Sequence, residues 1–277
     1  MSGAPVIDVG EFAVTVVSDG VLNSNHDVIL GIDKAETARL TGVPYGQPLP
    51  LDVNCFLIRH RGRLVLSDAG SGHTMGPTLG KLPRNLRAIG IAPETIDLVM
   101  LTHLHPDHSL GLIDEAGRAV FPNAELIVHA AEAAFWLDRV PQPTDSERVT
   151  RNTKAQRLVT APYRDRIRRI EDGEVLPGIV AMLRPGHTPG HTNWLIQSGG
   201  SRMLLWGDIA HLASVQMVRP DATLVFDVEP TLARASRERV FEFAAAEGLL
   251  VAGAHLPFPG IGRVERAGQG FRFQAEK

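Results

Sequence analysis

The sequence predicts an α/β chain of two packed sheets with helices outside them, and three observations carry that expectation. Apolar runs of strand length fall in two successive blocks, and each block is followed by helical segments. Isolated His and Asp residues stand at the ends of those runs in both halves. No stretch has the composition of a linker, so residues 1–277 are read as one domain.

Residues 12–19 alternate apolar and polar side chains, as a half-buried strand does. Residues 53–60 and 63–68 read as two strands joined across a turn containing Gly62, a hairpin signal. Asp68-Ala69-Gly70-Ser71-Gly72 is a tight loop, and a helical segment is expected over residues 77–89. Residues 97–101 form a short buried strand; residues 124–129 form another, with a helix over 130–137. Residues 141–163 are polar and irregular with one helix, an insertion across the surface. Strands return at 179–184, 192–197 and 202–206, before a helix over 231–247 and a short strand at 249–251.

A chain of 277 residues buries roughly 70–75% of its unfolded surface, enough for a substantial core. Its 44% hydrophobic and 21% charged content is ordinary for a globular protein. Net charge is −3, and the densest basic run, residues 164–169, is interrupted by Asp165 and followed by Glu171 and Asp172. That run reads as a solvated face, and no nucleic-acid partner is expected. Cys55 is the only cysteine, which excludes an intrachain disulfide and reads as a buried, inert thiol. No run approaches 18 consecutive apolar residues, so no transmembrane helix and no membrane partner are expected. The first residues lack a basic segment followed by an apolar one. The cytoplasm is therefore the expected compartment, or the periplasm if a leader has been removed.

The densest chemistry lies in Thr102-His103-Leu104-His105-Pro106-Asp107-His108, at the C-terminal end of the strand over residues 97–101. His103 and His105 share one side of an extended chain, and Pro106 turns Asp107 and His108 towards a second point nearby. So many titratable groups together are costly without a cation to share, and nitrogen and oxygen donors suit zinc-like metals. Two donor points suggest two metals. Further donors are available from His191, Asp208 and His255, each at a strand end or in a Gly-rich turn. A metal-stabilised binding protein is the non-enzymatic alternative, but structural zinc sites are closed and thiolate-rich, and this cluster holds no Cys.

The motif His103-x-His105-x-Asp107-His108, the turn Gly186-His-Thr-Pro-Gly-His191-Thr, the Gly207-Asp208 strand end and His255 together resemble the metallo-β-lactamase-fold hydrolase superfamily. Residues 75–82, 207–216, 226–230 and 254–262 are similar to its branch holding methyl parathion hydrolase and the N-acyl homoserine lactone lactonases. The resemblance implies an αββα sandwich with a dinuclear metal site at one edge of the two sheets. It implies His103, His105 and His191 on one cation, Asp107, His108 and His255 on the other, and Asp208 bridging. His187 is then a supporting residue. Zinc is the default metal, with manganese, cobalt or iron accepting the same donors.

Two divalent cations about 3.5–4 Å apart hold a hydroxide at neutral pH, the implied nucleophile. Asp107 is implied to orient it and to pass a proton to the departing alkoxide. His211 stands where the lactonases carry Tyr and methyl parathion hydrolase an apolar residue; as a donor it favours a lactone or carboxylic ester. Resemblance places Val21, Leu22, Met75, Phe135, Trp136 and Phe226 along the substrate pocket. The implied function is a lactonase of the quorum-quenching, N-acyl homoserine lactone type, with side activity on esters and phosphotriesters. The alternative is a dedicated organophosphate or arylester hydrolase. The expected partner is a small lactone or ester, and a homodimer is compatible with the resemblance.

Overall fold

The structure, a computed structural model, describes residues 4–276. Its first half runs β1 (Val6–Val9), β2 (Phe12–Ser24), β3 (Ile29–Leu30), α1 (Lys34–Thr41), β4 (Leu49–His60), β5 (Arg63–Ser67), α2 (Leu82–Ala88), β6 (Leu98–Met100), α3 (Pro106–Ser109), β7 (Glu125–His129), α4 (Ala130–Ala133), α5 (Glu147–Thr160) and β8 (Ile167–Ile170). The second half runs β9 (Gly173–Leu176), β10 (Ile179–Leu183), β11 (Thr192–Ser198), β12 (Ser201–Leu205), α6 (Ala213–Gln216), β13 (Thr223–Leu224), α7 (Pro230–Ala246), β14 (Leu250–Ala252), β15 (Ile261–Ala267) and β16 (Gly270–Ala275). Two seven-stranded sheets result, ordered β1-β2-β4-β5-β6-β7-β8 and β16-β15-β14-β12-β11-β10-β9.

Strand alternation explains the layering. Phe56, Ile58, Val65, Leu98 and Met100 of the first sheet pack against Ile179, Trp194, Ile196, Met203 and Leu205 of the second. Their neighbours Leu57, Leu66 and Val99 face the other way, onto Leu82 and Leu86 of α2 and Val159 of α5. On the far side, Leu204 and Val251 pack against Val240, Phe241 and Ala244 of α7. Helices thus cover both outer faces, which is the expected αββα sandwich. Cys55 is fully buried in the first-sheet cluster, where burial pushes its thiol well up, as expected for an inert cysteine.

The expected helix over residues 77–89 is shortened to α2. Gly76 and Gly80 take φ of 106° and 73°, outside the right-handed helical region, so residues before Leu82 form turns. The helix after β7 is α4, which continues as a π-type turn, Ala134–Asp138. Residues 167–170, inside and just after the basic run read as a solvated face, form β8, paired in parallel with β7 at the sheet edge. The hairpin of β15 and β16 closes the other sheet. Among the described residues no helix is long and apolar enough to cross a membrane.

Both sheets end their parallel strands at the same place. The loops after β6, β12 and β14, with the turn before β11, are tied by backbone bonds from Thr192 N to Thr102 O (2.8 Å), Ala254 N to Gly207 O (3.3 Å) and Ala69 N to His108 O (2.8 Å). These loops carry every donor singled out from the sequence.

Candidate metal centre

Asp208 stands at the centre of a ring of imidazoles, because Gly207 precedes it with φ of 56°. A Cβ at Gly207 would lie 2.8 Å from His191 Nε2 and 2.9 Å from Thr102 Cβ, so only glycine lets this turn close. The two carboxylate oxygens of Asp208 serve different sets. Oδ2 faces His187 Nε2 at 3.1 Å, His103 Nε2 at 3.6 Å and His211 Nε2 at 3.0 Å. Oδ1 faces His108 Nε2 at 3.2 Å and His255 Nε2 at 3.3 Å. Asp107 Oδ2 lies 3.3 Å from His255 Nε2 and 3.7 Å from His108 Nε2.

Ligand-type atoms therefore gather in groups: His103, His105, His187 and Asp208 in one, and Asp107, His108 and His255 in a second. Asp208, His211 and His255 form a third that overlaps them. His103 Nε2, His108 Nε2, His255 Nε2 and Asp208 Oδ1 are buried without a hydrogen-bond partner. Buried polar atoms are normally paired, and four orphans aimed at common points are what divalent cations would satisfy. The residues present fit such cations.

The opposite edge of each ring is fixed. His108 Nδ1 lies 2.9 Å from Asp68 Oδ2, His187 Nδ1 2.8 Å from Asp227 Oδ1, and His255 Nδ1 2.8 Å from the Asp52 carbonyl. Such partners set tautomer and ring orientation and leave the other nitrogen free as a ligand. Asp68 also accepts from Thr102 N and Thr102 Oγ1, and it holds φ of 64°, a strained conformation for a residue with a Cβ. Asp227 accepts from Leu224 N and lies 3.9 Å from the guanidinium of buried Arg237.

Glu132 on α4 joins the two halves of the site. Its Oε1 accepts from Leu104 N (2.7 Å) and Trp136 Nε1 (2.8 Å), and its Oε2 from Thr188 Oγ1 (2.7 Å) and Gly190 N (2.8 Å). One carboxylate thus clamps the loop of His103 and His105 to the turn of His187. Contact is close: a Cβ on Gly190 would sit 2.2 Å from Glu132 N. Burial raises the Glu132 carboxyl, while these four donors pull it back.

Electrostatics sort the imidazoles. Burial lowers His103 and His105 well below the ordinary range and takes His191 to about 3 and His211 to about 4. Burial acts the same way on His187 and His255, but facing carboxylates outweigh it. Asp208 and Asp227 raise His187 to about 9; Asp208 and Asp107 raise His255 to about 10. Asp208 itself is held well down by the surrounding imidazoles, against its burial.

The geometry corrects one expectation in the Gly186–His191 turn. His187, not His191, enters the donor group, with its Nε2 2.8 Å from His105 Nδ1. His191 Nε2 instead accepts the backbone N–H of Asp208 at 3.0 Å, so its lone pair is occupied and it acts as a brace. The other expected donors, His103, His105, Asp107, His108, Asp208 and His255, all converge. Sequence reasoning missed Asp68, Asp227 and Glu132, of which only Asp68 had a signal, the tight DAGSG loop.

A cavity of about 300 Å³ opens onto the cluster and is lined by Leu22, Met75 and Phe226 beside His105, Asp107 and His211. Trp136 reaches only a smaller adjoining hollow, its buried ring edge-on to His105 at 5.8 Å. Val21 and Phe135 do not line either. Val21 is held in the β2–β4 ladder opposite Asp52, and Phe135 packs against the outer cluster of the first sheet under the Arg139 guanidinium.

Comparison with known proteins agrees with this architecture. The family model described as "Metallo-beta-lactamase superfamily" matches residues 48–255. An N-acyl homoserine lactonase of Bacillus cereus is 25% identical over 179 residues, covering 58% of this chain and 64% of that protein. The chain thus spans under two thirds of that relative's length. The uncharacterized protein YobT of Bacillus subtilis is also 25% identical, over 60% of this chain and 65% of its own. Among solved structures, the hydrolase AbOPH of the β-lactamase superfamily superposes with a TM-score of 0.92 at 29% identity, covering 100% of this chain and 98% of its own. AidC, described as a dizinc quorum-quenching lactonase, superposes at 0.93 with 24% identity, covering 99% of this chain and 98% of its own, a likeness of fold. The chain belongs to the metallo-β-lactamase superfamily.

Proposed function

We propose that this chain is a metal-dependent hydrolase that holds two divalent cations and opens lactones, N-acyl homoserine lactones foremost, with side activity on aryl esters and phosphotriesters. One observation carries the reading: the two oxygens of Asp208 face two separate sets of donors, as a bridging carboxylate requires. His103, His105 and His187 would hold one cation and Asp107, His108 and His255 the other, with zinc the first choice and manganese, cobalt or iron accepting the same atoms. The likeness to an N-acyl homoserine lactonase of Bacillus cereus supports the lactone substrate.

When bound, such a pair supplies an activated water at neutral pH and a Lewis acid for the carbonyl oxygen. The chain's own residues do the rest. Asp107 lines the cavity, where it would orient water and receive and return a proton as the alkoxide leaves. His211, neutral at pH 7 and stacked on His255 at 4.6 Å, gives its one N–H to Asp208 Oδ2 at 3.0 Å, and would turn it to a substrate oxygen once cations take up that carboxylate. Leu22, Met75 and Phe226 exclude water and seat an apolar acyl chain.

The test is kcat/KM of the zinc-loaded protein for N-decanoyl homoserine lactone and for a nitrophenyl phosphotriester. The lactone is expected to be preferred. Preference for the phosphotriester by orders of magnitude would establish the dedicated organophosphate hydrolase instead.

A further inference from the structure

The cavity over the donor cluster carries charge that lactone opening does not use. Arg148 and Arg151 of α5 both line it, beside His105, Asp107 and His187. Three residues apart, they share one helix face. Arg148 is half-buried and Arg151 exposed. Burial, and then the neighbouring charge of Arg151, lower the Arg148 guanidinium; among facing carboxylates only Asp227 acts the other way. Asp227 is already committed to His187, Leu224 N and Arg237. The cavity's own carboxylates are no better placed to neutralise the pair. Asp107 faces His108 and His255, and Asp208 is ringed by imidazoles.

Two like charges left together cost stability unless something else occupies the space between them. The surroundings define what fits. The Arg148 guanidinium lies 5.8 Å from the centre of the Phe226 ring, which holds it above the apolar wall. Asn152, one turn further along α5 and 5% exposed, lines the same cavity and adds a neutral donor. A ligand filling the cavity thus meets the donor cluster, the apolar side chains of Leu22 and Met75, and two guanidiniums. Guanidinium is suited to planar oxyanions, which it grips through paired N–H donors.

We propose that Arg148 and Arg151 form an anion subsite that selects esters or lactones bearing a carboxylate or sulfonate in addition to the reacting carbonyl. The hydrolase reading enters only in placing the reacting carbonyl at the donor cluster; the subsite itself is a binding claim. Two measurements on the zinc-loaded protein separate them. The first compares kcat/KM for the mono-4-nitrophenyl ester of adipic acid with that for 4-nitrophenyl hexanoate, in wild type and in R148Q/R151Q. The charged ester should be favoured about tenfold or more in wild type, the worth of one charge-assisted hydrogen bond, and the ratio should collapse towards unity in the variant. The second measures binding of hexane-1-sulfonate by calorimetry, with zinc content checked in both proteins. The variant should bind about tenfold more weakly at equal zinc content. Equal turnover of the two esters by wild type, or a preference that survives in R148Q/R151Q, overturns the subsite and leaves the hydrolase reading standing. If neither ester is turned over, the side activity on aryl esters falls, and sulfonate affinity indifferent to the two arginines would overturn the subsite as well.

Discussion

Replacing Glu132 by glutamine keeps the side chain's size and removes one acceptor from the clamp across the metal centre. The four donors are Leu104 N, Trp136 Nε1, Thr188 Oγ1 and Gly190 N, two to each oxygen. An amide group in place of Oε1 would confront two N–H donors, neither able to accept. In place of Oε2 it meets the Thr188 hydroxyl, which can turn to accept, and the Gly190 N–H, which cannot. The second orientation wins, leaving one buried backbone N–H unpaired at about 1–3 kcal/mol and weakening the bonds that had a charged acceptor. Loss of a buried charge offsets part of this, since burial raises the Glu132 carboxyl. A net loss of about 2 kcal/mol lowers Tm by roughly 4–8 °C in a chain of this size. The clamp also sets the distance between the loop of His105 and the turn of His187, so zinc affinity should fall roughly tenfold or more. Thermal unfolding and competition with a chromophoric chelator read the two effects separately, and Glu132→Ala, which orphans all four donors, should be worse in both. A Glu132→Gln protein with wild-type Tm and wild-type zinc affinity would refute the clamp.

Two further outcomes follow from the same geometry. His187→Ala should lower bound zinc per chain by elemental analysis, whereas His191→Ala should keep it and lose about 1–3 kcal/mol of stability, because the Asp208 N–H loses its acceptor; the reverse pattern would make His191 the ligand. In the metal-free protein, His187 at about 9 and His255 at about 10 lie above the ordinary histidine value near 6.5, so their stabilisation is complete below that value and fades as pH climbs through 9 to 10. His191 and His211, held near 3 and 4, act oppositely and reduce stability as pH falls below 6.5. Chelator-stripped protein should therefore lose Tm in alkali more steeply than zinc-loaded protein, and coincident profiles would contradict the assignment.

Two strands that were legible in the sequence are buried on both faces. Residues 53–60 and 97–101 are strand-length apolar runs, and they appear as β4 and β6 because both sides of the first sheet are covered, by the second sheet and by α2 and α5. The edges were not legible. In β8, Ile167 and Ile170 flank two arginines, and in β15 the exposed Arg263, Glu265 and Arg266 interrupt the apolar pattern. Charge on an edge strand guards its unpaired backbone, and it hides the strand from a reading based on hydrophobic period. Helix α2 failed at its start for a different reason: glycine cost the segment its first turns, and composition alone does not reveal where φ becomes positive.

The site divides along the same line between local and non-local information. His103, His105, Asp107 and His108 are legible because their spacing is a property of one strand end and one turn. The turn before β11 offers two histidines, and spacing within it cannot rank them. The choice is made by Asp208 from another loop: its backbone N–H captures His191 Nε2, while its carboxylate takes His187 Nε2 at 3.1 Å. One residue therefore supplies both the brace and the target, and it can do so only because Gly207 brings its backbone against His191. Asp68, Asp227 and Glu132 lie further still from any local pattern, each reaching its imidazole or loop from an element 28 to 58 residues away. A carboxylate that orients a ligand carries no spacing rule of its own, since any strand end or helix that passes the right ring edge will serve. The candidate metal donors are thus written in the sequence as motifs, and the groups that aim them are written only in the fold.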